Sequence, residues 1–264
     1  MRLVRGILGI LGACLLLGCG DDTETGGAGG AGGSGATGGS GGAGGSGATG
    51  GSGGAGGEPA TVAMPFMFRG LNGALLEGVE ICLDGADPAN CSTSDDTGGA
   101  ELTVPANSEH AFRAQQPAGY VTGVVTLEAG MSDSPTFNLA RVTETELNGI
   151  AMGFGVTLDP TKGTVAILHA GQEPTGVTPS IAPASGDGPF YFDATFNLLP
   201  MGTELPQNGG ALFFNVDPGT VTASFAPALA GCAFIELAWG SEADSTTTVV
   251  EADAISGPPN ILCN

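Results

Sequence analysis

Positive charge is scarce in this chain. Its 264 residues hold six Lys and Arg against 27 Asp and Glu, for a net charge of −21. A protein that grips a nucleic-acid backbone needs a basic stripe, so that class is excluded. Charged residues of both signs amount to 12% of the chain, too few for the Leu/Glu/Lys periodicity of a coiled coil or helix bundle. Histidine is almost missing: His110 and His169 are the two that could serve as a general base. Beyond the first 20 residues no stretch approaches the roughly 18 uninterrupted apolar residues of a spanning helix. What is abundant is glycine, 49 residues, without the G-X-Y period that would make it collagen.

The N-terminus reads as an address. Arg2 and Arg5 precede an apolar stretch from Ile7 to Leu17, which is the n-region and h-region of a secretory signal over residues 1–18. Leu16-Leu17-Gly18-Cys19 resembles the lipobox of bacterial lipoproteins. The resemblance implies cleavage before Cys19, acylation of its sulfur and amino group, and attachment to the membrane through lipid. Several acyl chains, at about 0.8 kcal/mol per buried methylene, make such an anchor stable. Gly20 stands where inner-membrane lipoproteins often carry Asp, which points to the outer membrane, facing the periplasm or the cell surface.

Residues 19–57 are the lipidated Cys and a linker. From 26 to 57 only Gly, Ala, Ser and Thr occur, repeating with a period of twelve. This composition has no apolar surface to offset ordering entropy, so a disordered tether is expected. Its root-mean-square span is roughly 30 Å. Gly38-Gly39-Ser40-Gly41-Gly42 matches G-x-S-x-G, and Gly30 to Gly35 matches G-x-G-x-x-G. Both motifs need a strand before and a helix after. The repeat provides neither, and no cofactor is expected.

From residue 58 the pattern changes to short strands. Val62, Met64, Phe66 and Phe68 alternate, as do Val79, Ile81 and Leu83, and Leu102 with Val104. Period-2 apolarity with turns every 8–12 residues predicts antiparallel sandwiches. Further strands are expected near 109–116, 119–128, 135–142, 163–169, 175–182, 189–194, 210–216, 219–226, 233–239 and 246–252. Thr143-Glu144-Thr145-Glu146 is a capping box, and Leu147, Ile150, Ala151 and Phe154 follow at helical spacing, so 143–154 reads as a short connecting helix. The fold class is mainly β: two antiparallel Greek-key sandwiches of prealbumin or Ig-like type, 58–142 and 155–264.

Gly78-Val79-Glu80-Ile81 followed by Thr97-Gly98-Gly99-Ala100-x-Leu102-x-Val104-Pro105 resembles the carboxypeptidase regulatory-like domain. Lys162-Gly163-x-Val165 and Gly210-Ala211-x-Phe213-x-Asn215-Val216-x-Pro218-Gly219 repeat the likeness in the second half. The resemblance implies a transthyretin-like sandwich acting as an accessory module without catalytic residues. Ala100 and Ala211 stand where that pattern commonly has an aromatic.

Cys14 leaves with the signal and Cys19 takes lipid, so Cys82, Cys91, Cys232 and Cys263 remain for disulfides. We expect 82–91 and 232–263, one per domain, because bonds between the domains would demand close docking. The acid run Asp84, Asp87, Asp95 and Asp96 contains oxygens for Ca²⁺ but fits no EF-hand spacing, and a solvated turn clipped by the disulfide is the expectation. Tyr191 and Trp239 are candidate sugar-stacking side chains, with burial in their own cores as the competing reading. The expected protein is a monomeric, non-enzymatic outer-membrane lipoprotein whose modules bind envelope polymer, carbohydrate or protein. A purely structural spacer and a hydrolase accessory subunit are the alternatives.

Overall fold

Alternation does what the sequence demands in the first strand. β1 (Thr61–Gly70) buries Val62, Met64, Phe66 and Phe68 on one face and leaves the intervening residues partly open. Its Pro65 would be out of place in a strand paired on both sides. Phe68 N donates to Gly98 O, so even-numbered residues aim their N–H groups at one neighbour and odd-numbered ones at the other. Among the described residues the second neighbour pairs from Phe66 onward, so the missing donor of Pro65 falls just before that ladder begins.

This is a computed structural model, and it describes residues 60–86, 89–115, 117–130, 136–171, 176–193, 196–227, 232–234, 245–257 and 261–263. The signal peptide, Cys19, the Gly-rich linker, Asp87 and Trp239 lie outside the described residues. After β1 come β2 (Glu80–Leu83), β3 (Cys91–Thr93), β4 (Gly99–Pro105), β5 (Ser108–Gln115), β6 (Thr122–Ala129) and β7 (Phe137–Arg141). Helix α1 (Glu144–Gly153) follows, then β8 (Gly163–Gly171), β9 (Thr178–Ala182), β10 (Asp187–Phe192), β11 (Leu198–Leu199), β12 (Gly210–Val216) and β13 (Gly219–Ala226). The chain closes with β14 (Cys232–Phe234), β15 (Ser245–Val250), β16 (Ala254–Gly257) and β17 (Ile261–Cys263). The architecture is mainly β, as the sequence predicts.

Among the described residues three sheets are formed. One has the order β4-β1-β7, another β15-β13-β9. The third, of 11 strands, runs β11-β10-β12-β8-β16-β6-β5-β2-β3, with β17 on β8 and β14 on β17. Most pairs are antiparallel. β1 with β7, β16 with β6 and with β8, and β17 with β8 are parallel.

Two hydrophobic clusters follow the two halves of the chain. Met64, Phe66, Phe68, Ile81, Phe112 and Leu127 fill the first, where the rings of Phe66 and Phe112 lie 5.2 Å apart. Val165, Ile167, Leu205, Phe213, Val221 and Phe225 belong to the second. Each such buried side chain contributes about 1.5–3 kcal/mol relative to exposure. The long sheet runs through both halves of the chain, and a third cluster joins Val121 with Phe192 and Phe214. β16, near the end of the chain, pairs with β6 of the first half on one side and β8 of the second on the other.

The helix begins as its capping box requires. Thr143 Oγ1 accepts from Glu146 N at 3.2 Å, and Glu146 Oε2 accepts from Thr143 N at 2.8 Å. Leu147 and Ala151 are buried, with Ile150 and Phe154 beside them, in a third cluster with Val121, Phe192 and Phe214. No helix among the described residues is long and apolar enough to cross a membrane.

Candidate functional site

The acidic hairpin holds most of the polar candidates. β2 and β3 pair antiparallel with Cys82 opposite Cys91, and the two sulfurs are bonded, as expected. Asp84, just past β2, lies 3.6 Å from Arg113 Nη2, and the same nitrogen donates to Glu251. Asp95 turns its carboxylate on its own loop: Oδ1 accepts from Thr97 N at 2.9 Å, Thr97 Oγ1 at 2.6 Å and Gly99 N at 2.9 Å. The Thr97 hydroxyl, followed by the Gly99 amide, holds this carboxyl below the usual Asp value. Asp96 is exposed.

Among the described residues these acids do not gather into a three-ligand group; the one such group is Glu80 with Cys82 and Cys91. A disulfide offers no thiolate, so that group lacks the soft ligands it needs.

The second pair of cysteines falls at β14 and β17, where Cys232 and Cys263 are backbone register partners. Thus each expected disulfide links two positions that face one another across an antiparallel pair.

A serine does sit beside a histidine. Ser108 Oγ is 3.0 Å from His110 Nε2, at the start of β5. The same Nε2 is 2.9 Å from Pro105 O, and a carbonyl oxygen can only accept. In a neutral imidazole Nε2 is therefore the protonated nitrogen, which cannot take a proton from Ser108. Ser108 Oγ itself donates to Pro105 O at 3.0 Å. Both side chains close the turn between β4 and β5 rather than activating a nucleophile. His169 is buried, and its Nδ1 donates to Pro206 O at 3.1 Å, again tying a strand to a loop.

Tyr191 needs a correction. It is 3% exposed, inside the second core, because three successive aromatics at 190–192 must include one that faces inward. Burial pushes its phenol above the ordinary value, with a hydrogen bond to Thr178 acting the other way. A ring so placed cannot stack on a sugar. Trp239, its expected companion, is outside the described residues.

One residue stands out that the sequence did not single out. Arg141, at the end of β7, is 2% exposed. Nη2 donates to Val121 O at 2.9 Å, whereas Nε and Nη1 have no partner among the described residues. Burial pulls its pKa down to about 10, with Tyr120 acting to raise it, so the guanidinium remains charged at neutral pH. Its one sequence signal is position: a lone cation between Ala140 and Val142 in an otherwise apolar strand end.

No protein-family model matches the chain, and no curated protein matches it. Among solved structures it is similar to the Bacillus anthracis TIE protein, with 16% identity and a TM-score of 0.28 over 77% of this chain and 34% of that one. The chain thus spans about a third of that protein's length. It is also similar to the shaft pilin SpaA from Lactobacillus rhamnosus GG, with 14% identity and a TM-score of 0.24 over 78% of this chain and 98% of that one. The full-length major pilin SpaD from Corynebacterium diphtheriae shows 10% identity and a TM-score of 0.26 over 72% and 66%.

Proposed function

We propose that this chain is an exported, lipid-anchored display protein whose β-sandwich body is a non-catalytic binding module for envelope polymer, carbohydrate or protein. The observation that carries the reading is the Cys82–Cys91 bond across β2 and β3, because structural disulfides persist in oxidising compartments. Cys19 would hold the lipid and residues 26–57 would space the body from the outer membrane. A second bond, Cys232–Cys263, is supported by the register of β14 with β17. The body resembles carboxypeptidase regulatory-like domains in the turn-strand motifs around Gly98 and Gly210. Binding would use the sheet edges: among the described residues β3 and β11 end the long sheet, and an edge strand is a surface for another strand.

The test has two parts. Mass spectrometry of the N-terminal peptide from membranes of an expressing Gram-negative cell should find Cys19 acylated, and Cys19→Ser should move the protein to the soluble fraction. An uncleaved or unacylated N-terminus overturns the anchor. Incubating the full chain with envelope fractions and a glycan panel should retain it on one of them. No retention on any fraction leaves a spacer and removes the binding role.

A further inference from the structure

Beside the first turn of α1 lies a cavity of about 150 Å³, the size of an apolar cavity that holds benzene. Three pieces of chain wall it: α1, the turn that leads into β8, and the turn that leads into β16. Backbone bonds hold them in place. Glu144 N donates to Gly119 O at 3.0 Å, Lys162 N to Asp159 O at 2.9 Å and Asp253 N to Lys162 O at 2.8 Å. Asn215 clips the first of these turns, its Oδ1 accepting from Asp159 N at 2.8 Å.

Floor and rim differ in chemistry. Val121, Leu147, Thr164 and Ala254 are buried on the lining, whereas Glu144, Asp159 and Asp253 are exposed on it. Thr164, 3% exposed, is the polar member of the floor. It alternates along β8 with Ala166 and Leu168, which pack in one cluster with Leu147 of α1, so its side chain leaves the sheet on the helix side, toward the cavity. Its hydroxyl has no hydrogen bond among the described residues. Thr126 and Ser256 also lack partners, but their oxygens are closed off from water; that of Thr164 is not, and the cavity is the opening it borders. Buried hydroxyls are normally paired, so this one is left for something that enters.

The rim sets the charge. Three carboxylates border the cavity against one cation, Lys162, whose ammonium already donates to Asp217, a residue off the lining. An anionic ligand therefore meets like charge and no free partner. A bare divalent ion fits no better, because these acids do not bring three ligand atoms within reach of one another. Asp159 turns Oδ1 on Thr161, which leaves Glu144 and Asp253 as the carboxylates without a side-chain bond among the described residues. A cation with its own body matches both levels: a charge for the rim, a short carbon stem for the apolar wall, and a hydroxyl for Thr164, which can give and accept.

We propose that this cavity binds a small free amino alcohol, its ammonium on Glu144 and Asp253 at the rim and its hydroxyl on Thr164 at the floor. The site is separate from the lipid anchor and from any sheet-edge partner, and stands or falls without them.

The experiment is calorimetric titration and thermal unfolding of the full chain at neutral pH and low ionic strength with 3-aminopropanol, propylamine and 1,3-propanediol. Aminopropanol should bind and raise the melting temperature with concentration, as a ligand of the folded state does. Propylamine, without the hydroxyl, should bind at least fivefold more weakly, and propanediol, without the charge, at least tenfold. Thr164→Val keeps the β-branched shape and should bring aminopropanol down to the level of propylamine. Glu144→Gln with Asp253→Asn should weaken both amines by tenfold or more, and Asn tolerates the φ of +54° that Asp253 adopts. That variant and the ligand series decide the matter should Thr164→Val not fold. The proposal is overturned if aminopropanol does not bind, which leaves Thr164 to water; if propylamine or propanediol equals it; if a folded Thr164→Val still tells the two amines apart; or if the charge-removed variant keeps wild-type affinity.

Discussion

Gly98 closes the turn before β4 with φ of +76°, and a Cβ built there would lie 2.8 Å from the Phe68 carbonyl oxygen. That oxygen accepts from Leu76 N, so it is held in place. Gly98→Ala therefore combines left-handed strain with a backbone clash, and should lower unfolding free energy by about 2–4 kcal/mol. Gly78 has a similar φ, +79°, but nothing within 4 Å of a Cβ. Gly78→Ala should cost only the strain, about 1 kcal/mol, and urea unfolding of the two variants measures the difference. Three residues before Gly98, Asp95 makes a pH-dependent contribution. Its folded pKa lies below 3.8, so the stability it adds is whole above that value and is lost as pH falls through the lower folded one. Asp159, bound to Thr161 N and Oγ1, behaves alike. Carboxyl carbon NMR titration should find both midpoints depressed, and Asp95→Asn should flatten the acid limb of the stability curve in that range. Midpoints at or above 3.8 would contradict the loop geometry.

Elements were readable where local signals are strong. The alternation of Val62 to Phe68 and the capping box at Thr143 place β1 and α1, because period and caps depend on neighbours in sequence. β3, β11, β16 and β17 gave no such signal. Cys91-Ser92-Thr93 and Leu198-Leu199 are too short to show a period, and Ala254-Ile255-Ser256-Gly257 acquires its strand conformation from β6 and β8, both far away in the chain. The candidate site was less legible still. Tyr191 belongs to a strand on any reading, yet which of Phe190, Tyr191 and Phe192 faces the core depends on the partner sheet. Arg141 looks like any surface cation until the fold buries it beside Val121 and Gly123, both distant in sequence. The hairpin of β2 and β3 allows a direct test at this scale. The chain-entropy model gives its disulfide, with a sequence separation of nine, about 2.7 kcal/mol. Cys82→Ala with Cys91→Ala should reduce stability by about 2–3 kcal/mol in urea unfolding, and reducing the bond in the parent should bring its curve close to that of the double variant. Equal stability of parent and double variant would mean the hairpin is held by β5 alone.

At the scale of the whole molecule, β16 decides whether the two cores unfold together. It has four residues, and Ser256 pairs with Val124 on one side and Val165 on the other. All the described residues from 60 to 263 fall within one compact unit. A strand in the middle of a sheet uses donors on both edges, so Pro there removes a ladder bond and costs about 3 kcal/mol or more. Ser256→Pro should therefore weaken both halves, since the lost register supports β6 in one and β8 in the other. Hydrogen exchange provides the readout: amides of β6 and of β8 should lose protection together, with those of β1 and β13, one sheet removed, less affected. In the parent chain, thermal unfolding should show a single cooperative transition. Two separated transitions, or loss of protection confined to β8 in Ser256→Pro, would mean that the parallel pair with β6 adds little free energy and that the halves behave as the separate domains their hydrophobic clusters suggest.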